Sequence, residues 1–192
     1  MLIAIDPLWT TPPVDRQCQL PVDSLGISPA NAVRETAFMS AQARLAELGI
    51  VLPEPMRPAG LYRSAARVGD LIFLSGAAPI RPDGSAVTGK VGGAIDLQTA
   101  RHAARLVGLQ LLAALQAELG SLDGVSEVVK LLGMVNCAPG FNNTPGVIDG
   151  CSELFIEVFG EAGRSARSAV GMAELPFDLC VEIEAIVQVH AD

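Results

Sequence analysis

Apolar residues recur along the chain with two different periods, and each period predicts its own kind of element. In residues 96–120 and 147–163, apolar side chains return every three or four positions, which indicates helices that bury one face. Residues 40–50 carry the same pattern over a shorter length. There, Ser40 can cap the first turn and Gly49 can end the helix.

Strand patterns fill the stretches between the helices. Two apolar runs flank Gly69-Asp70, a dipeptide that indicates a hairpin turn. A third strand is predicted through residues 128–135, and two more at residues 166–175 and 180–189. The order β-β-α-β-α-β-β predicts an α+β fold, in which two helices pack on one face of a single mixed sheet.

The N-terminal segment differs from the rest of the chain. Residues 1–38 contain several prolines and show no sustained helix or strand period. We expect them to form a disordered or loosely attached arm, with one folded domain at residues 39–192.

Composition and charge exclude several classes of function. The chain carries 21 acidic and 13 basic residues, a net charge of −8, which argues against nucleic acid as a ligand. No apolar run is long enough for a membrane span and no signal peptide is evident, so a cytoplasmic protein is expected. Its two histidines and four cysteines have no metal-site spacing. We therefore expect no metal site.

The candidate chemistry begins with an arginine on a predicted strand. Alternation along residues 166–175 places Arg167 on the same face as three small residues, Ala169, Gly171 and Ala173. Such a face can form the floor of a pocket, and a guanidinium matches a carboxylate through two parallel hydrogen bonds. The alternative is a surface arginine in an ion pair.

Other candidate residues are carboxylates, hydroxyls and a glycine. Glu182 lies on the polar face of the last strand, where it could hold a water or accept a proton, or be a solvated acid. Tyr62, at the start of the first strand, is either a packing or a ligand residue. Ser75 and the backbone N–H of Gly76, at a strand end, could orient a polar ligand or simply mark the end of the strand.

Four motifs, in order, resemble the YjgF/Rid family of reactive intermediate deaminases, also called L-PSP endoribonucleases. They are "GLY" with Tyr62, "GDLIFLSGAAP" with Ser75 and Gly76, "ARSAVGMAELP" with Arg167, and "VEIEAIV" with Glu182. The resemblance covers about residues 40 to 190, and the motifs "TGKVG" and "FGEAGR" are similar to a longer subgroup.

This resemblance implies a chorismate-mutase-like fold, a homotrimer with clefts between adjacent subunits, and no cofactor. It implies hydrolysis of 2-aminoacrylate-type enamines and imines to 2-keto acids and ammonia. Arg167 would then hold the substrate carboxylate and Glu182 the attacking water, with Tyr62, Ser75 and Gly76 binding the substrate.

One departure and two alternatives accompany the resemblance. The family often has an asparagine early in the second long helix, where this chain has Asp149, and an acid there would weaken carboxylate binding unless it points away. The alternatives are a carboxylate-binding or regulatory trimer without turnover, and a ribonuclease. The acidic charge and the absence of a histidine pair count against the ribonuclease.

Overall fold

Five strands build one sheet in the computed structural model of the chain, which describes residues 40–191. The predicted arm at residues 1–38 lies outside the described residues. The elements are α1 (Ala41–Glu47), β1 (Ala65–Val68), β2 (Leu71–Ala77), α2 (Leu97–Leu119), β3 (Val125–Asn136), α3 (Thr144–Phe159), β4 (Ala166–Met172) and β5 (Val181–Val189). Short 3-10 turns lie at Leu122–Gly124, Gly160–Gly163 and Pro176–Asp178. The predicted element order and the α+β class are confirmed.

The sheet is mixed, as predicted, with strand order β1-β2-β5-β3-β4. β3 and β4 are parallel and are joined by α3, while every other neighbouring pair is antiparallel. The hairpin between β1 and β2 turns at the predicted Gly69-Asp70, with Gly69 at a φ of 59°. β4 therefore forms one edge of the sheet, and β1 forms the other.

Local capping explains where the helices begin. The Ser40 hydroxyl accepts from the Ala43 amide at 3.2 Å, and the Asp96 carboxylate accepts from the Thr99 amide at 2.7 Å, so both predicted caps are confirmed. α3 starts three residues before its predicted position at residue 147. The reason is that Asn143 caps it and a proline occupies its first turn, where no amide donor is needed.

Two glycines let α3 approach both α2 and the sheet. A Cβ atom on Gly150 would lie 2.0 Å from the carbonyl oxygen of Arg101 on α2. A Cβ atom on Gly133 of β3 would lie 2.4 Å from Cδ1 of Ile148. Side chains larger than hydrogen at these positions would push α3 away, so the glycines fix the height of α3 above β3 and β4.

The two faces of the sheet have different environments. The helix face is buried under α2 and α3, and on β5 it takes every second residue, Val181 to Val189. The opposite face, which we call the open face, carries Glu182, Glu184, Ile186 and Gln188, the division predicted for this strand. Because Phe73 pairs with Ile186, and Val170 lies beside Met134 and Glu182 across β3, the open face also presents exposed apolar side chains.

Candidate functional site

A cavity of about 600 Å³ lies beside the open face, between β2, β5 and the loops that flank them. Most of its wall is apolar, and it includes Met56, Ile80, Phe177 and Leu179. Among the described residues that line it, Glu182 supplies the one carboxylate. A largely apolar cavity with one ionisable group is the usual environment of a small-molecule site.

Glu182 is a half-buried acid with unusual electrostatics. Burial, and secondarily the nearby Glu184 carboxylate, raise the pKa of Glu182 above the ordinary value for a glutamate. Within residues 40–191, the Glu182 carboxylate has no ion pair and no hydrogen-bond partner. Its oxygens are therefore available to a ligand, and its raised pKa makes it a stronger base than an exposed glutamate.

Gly76 makes room for this carboxylate. The pairing of β2 with β5 shifts register between Leu74 and Ala77, which is a bulge that contains Gly76. A Cβ atom on Gly76 would lie 1.9 Å from Oε1 of Glu182, so glycine is required for the present position of the acid.

Tyr62 also lines the cavity, but it does not lie at the start of a strand as predicted. β1 begins only at Ala65, and Tyr62 belongs to the preceding loop. This loop folds on itself because the Ala59 amide donates to the Tyr62 hydroxyl at 3.2 Å, and the Ser64 hydroxyl donates to the Met56 carbonyl at 3.4 Å. The phenol is thereby held at the cavity wall.

Ser75 faces a smaller pocket of about 40 Å³ that adjoins the cavity. Its hydroxyl donates to the Arg63 carbonyl at 2.7 Å, which fixes the rotamer and leaves the oxygen free to accept. The same pocket is lined by Gln110 of α2, a buried residue whose Oε1 has no partner. The sequence analysis did not identify Gln110. Its position three residues after Val107, on the buried face of α2, was a signal that a polar side chain points inward there.

Arg167 lies on the helix face of β4, and it does not reach this cavity within one chain. Its Nη1 donates to Asp149 Oδ1 at 2.8 Å and to Ser152 Oγ at 3.0 Å, both on α3. The predicted pocket floor at Arg167 stays a prediction. α3 contacts its Arg167 end, whereas Gly171 and Ala173 at its other end are exposed, and a Cβ atom on Gly171 would lie 3.1 Å from Cys137 Sγ. Asp149 points toward the arginine, the arrangement that weakens carboxylate binding.

Register places Arg167 and Glu182 on opposite faces of the sheet. Gly133 packs under α3 and pairs with Ala169 on one side and with Ile183 on the other. Side chains alternate along a strand, so Arg167 shares the helix face with Ala169, and Glu182 takes the open face. The structure therefore brings Tyr62, Gly76 and Glu182 together, with Ser75 beside them, and leaves Arg167 elsewhere.

A strained turn forms one rim of the cavity. Phe177 and Asp178 have φ values of 56° and 57°, a left-handed conformation that costs non-glycine residues roughly 1–2 kcal/mol each. The turn is held from the Asp178 side. The buried Asn136 donates Nδ2 to Asp178 Oδ1 at 3.1 Å, the Gly89 amide donates to the Asp178 carbonyl at 2.7 Å, and Lys90 Nζ donates to Asn136 Oδ1 at 2.8 Å. Phe177 itself is 82% exposed.

Comparison with known proteins identifies the family. The family described as "YjgF/chorismate mutase-like, putative endoribonuclease" matches residues 42–186. The chain belongs to this family. A Trypanosoma cruzi relative, protein TCP17, is 42% identical over 149 residues, which are 77% of this chain and 93% of that protein. A solved structure of Atu1372 from Agrobacterium tumefaciens, of unknown function, is 42% identical with a TM-score of 0.71, covering 78% of this chain and 92% of that one.

One relative carries the name of an enzyme activity. It is the 2-iminobutanoate/2-iminopropanoate deaminase of Dermatophagoides farinae, 31% identical over 142 residues, which are 73% of this chain and 95% of that protein.

The described residues contain neither a candidate metal-binding cluster nor a candidate membrane-spanning helix. Within residues 40–191 no three His, Cys, Asp or Glu side chains lie together in a way that could hold a metal ion. None of the helices in that part of the chain is both long and apolar enough to cross a membrane.

Proposed function

We propose that this chain hydrolyses reactive enamines and imines of the 2-aminoacrylate type to 2-keto acids and ammonia. The observation that carries the proposal is the half-buried Glu182, which has no ion-pair partner among residues 40–191 and a raised pKa, in a cavity shared with Tyr62 and Gly76. The YjgF relative that is named a 2-iminobutanoate/2-iminopropanoate deaminase supports the same chemistry.

The proposed reaction uses Glu182 as a general base. An enamine first takes a proton at its terminal carbon and becomes the imine. A water then adds to the imine carbon as Glu182 accepts one of its protons, and the electron pair of the C=N bond moves to nitrogen. Glu182 returns that proton to nitrogen, and the hydroxyl proton of the adduct then also passes to nitrogen. The C–N bond breaks, ammonia leaves with the bonding pair, and the oxygen forms the C=O bond of the keto acid. A base with a raised pKa suits this exchange, because it accepts a proton more readily than an ordinary glutamate does.

Arg167 would hold the substrate carboxylate, but only in a cleft that two subunits share. Arg167 and Glu182 face opposite sides of one sheet, so one chain alone does not bring them together. β4 is an edge strand and the Arg167 side chain is 24% exposed, so a neighbouring copy that packs against this edge would reach it. The proposed homotrimer would also cover the open face, on which Phe73 and Val170 are exposed.

Tyr62, Ser75 and Gly76 would bind the substrate beside Glu182. The Ser75 oxygen is free to accept a hydrogen bond, because its own proton is given to the Arg63 carbonyl.

A second candidate is a carboxylate-binding protein without turnover. It is favoured by one observation, the pairing of Arg167 with Asp149, because an arginine that is already neutralised binds its ligand more weakly and reversibly. A ribonuclease is not proposed, since the chain is acidic overall.

Hydrolysis of an enamine generated in situ tests the proposal, with ammonia and keto acid both measured. The wild-type protein should accelerate their release, and Glu182→Gln should lower turnover by about 10²-fold or more. Glu127→Gln, an exposed strand carboxylate outside the cavity, is the matched control and should retain activity. Binding of a 2-keto acid without any acceleration of hydrolysis would favour the second candidate.

Mixing two inactive variants tests the shared cleft. Arg167→Ala and Glu182→Gln remove different halves of the proposed site. After dissociation and reassembly together, hybrid particles should regain part of the activity that neither variant has, because some clefts then combine an intact arginine with an intact glutamate. No recovery from hybrids of the expected trimeric mass by light scattering would contradict the shared cleft.

A further inference from the structure

The size of the cavity does not match a three-carbon or four-carbon imino acid. At about 600 Å³, it falls within the range of about 300–1,000 Å³ that holds drug-sized ligands. Within one chain, a small imino acid beside Glu182 would leave most of this volume to be filled by a larger substrate side chain or by the neighbouring subunit of the shared cleft. A larger apolar side chain would fill it and would leave the reacting carbon in the same place.

The fold of the chain does not explain why position 177, on the wall of the cavity, is a phenylalanine. It is a large apolar side chain that lies mostly outside the core, on a backbone conformation that favours glycine or asparagine. Neither burial nor local preference accounts for phenylalanine at this position. Side chains held in such conformations by their surroundings cluster at ligand sites.

Hydrogen bonds and an ion pair with neighbouring residues hold the backbone of this turn in place. Asn136 is fully buried and donates to Asp178, and Lys90 joins Asn136 to the carboxylate of Glu174 at 3.2 Å. These contacts all involve the residues around Phe177 and none involves its ring. The network therefore fixes the backbone and leaves the ring free to face the cavity.

We propose that Phe177, together with Met56 and Ile80, forms a subsite for the substrate side chain, and that the preferred substrates are imino acids with bulky apolar side chains. The proposal rests on the proposed deaminase function and names the substrate class of that same site. The three side chains come from three separate segments of the chain, and all three line the cavity that holds Glu182. Glu182 would act at the imine carbon, while the apolar wall would bind the side chain.

The experiment compares imines of different size on wild-type protein and two variants. Imines are generated in situ by an amino acid oxidase from alanine, leucine and phenylalanine, and the acceleration of ammonia release is measured. The wild-type kcat/KM should be at least about tenfold higher for the leucine or phenylalanine imine than for the alanine imine, a typical discrimination by an apolar pocket. Phe177→Ala should remove most of that difference by lowering the values for the two larger imines, whereas Phe177→Leu should restore much of it.

Val51→Ala is the matched control, because Val51 is an exposed apolar residue outside the cavity. It should leave the preference unchanged. Calorimetric titration with pyruvate and with 4-methyl-2-oxopentanoate gives a readout without turnover, in which the branched acid should bind more tightly to the wild type than to Phe177→Ala.

The possible results separate this proposal from the one on which it rests. Equal acceleration of all three imines, with equal binding of the two keto acids, would overturn the side-chain subsite and leave the deaminase proposal standing. Tighter binding of the branched acid without any hydrolysis would support the subsite and overturn the deaminase. A Phe177→Ala variant that changes the particle mass but not the ligand preference would overturn the subsite, because the ring would then belong to a contact between subunits.

Discussion

Replacing Asp149 with asparagine should strengthen the binding of carboxylates at Arg167. In the structure, the guanidinium and the carboxylate meet at 2.8 Å, so an incoming substrate carboxylate must compete with an internal one. Asparagine has nearly the same shape and keeps an oxygen that can accept from Arg167, which preserves the orientation of the arginine. The substitution therefore removes one negative charge, which also faces Arg101 at 4.0 Å, and keeps the shape of the side chain.

The size of the effect follows from the exposure of the pair. The side chains of Arg167 and Asp149 are 24% and 41% exposed, so water screens their attraction. Exposed ion pairs contribute about 0.2–1 kcal/mol, and this partly sheltered pair belongs near the upper end of that range. A competing interaction of about 1 kcal/mol corresponds to a roughly fivefold change in the dissociation constant.

Titration calorimetry with pyruvate, supported by the KM for an alanine-derived imine, measures the change. Asp149→Asn should lower both constants about fivefold, and the difference should shrink as salt is added. Glu161→Gln is the matched control, because Glu161 pairs with Arg164 on the surface and should have no effect. Unchanged or weaker pyruvate binding by a folded Asp149→Asn protein of unaltered mass would refute the assignment of Arg167 as the carboxylate receptor.

Three further predictions concern the other site residues. Gly76→Ala should lower activity at least about tenfold, because its Cβ atom would lie 1.9 Å from Oε1 of Glu182. Gly124→Ala should not lower activity, because its Cβ atom would have ordinary contacts at 3.7 Å. Activity measured against pH should fall on acidification through the pKa of Glu182, which is raised above 4.5, and Glu184→Gln should move that fall to lower pH. Arg167→Lys should restore little of the activity that Arg167→Ala loses, since an ammonium cannot reproduce the two-pronged contact; full activity of either variant would contradict this.

Sequence reasoning succeeded where the signal is local. The cap residues Ser40 and Asp96, the Gly69-Asp70 turn and the alternation in β5 are each encoded within a few residues, and the structure confirms all of them. Periodicity in α2 extends over 23 residues, long enough to define the helix without tertiary information.

Where the signal is non-local, sequence reasoning reached less far. The pocket floor expected at Arg167 depended on which part of the sheet α3 would cover, and this is set by the crossover from β3 to β4 and by Gly133 and Gly150. Alternation identified the neighbours of Arg167 on its face but not the helix above them. The conformation of Phe177 was equally out of reach, because it is imposed by Asn136, 41 residues earlier in the chain.

The arrangement of the candidate residues leads to one conclusion about how this site would work. A carboxylate with a raised pKa and an apolar cavity lie on one side of the sheet, and a guanidinium lies on the other side, at an edge strand. Each half is incomplete alone, since among residues 40–191 no cation pairs with Glu182 and Asp149 is the one anion that pairs with Arg167. If the β4 edge of one copy packs against the cavity of another copy, Glu182 and Arg167 lie at the same substrate. The substrate carboxylate then competes with Asp149 for Arg167. Assembly, substrate binding and release of Arg167 from its internal pair would then be linked equilibria, so a mutation that weakens the subunit contact should raise KM even where it touches no substrate atom.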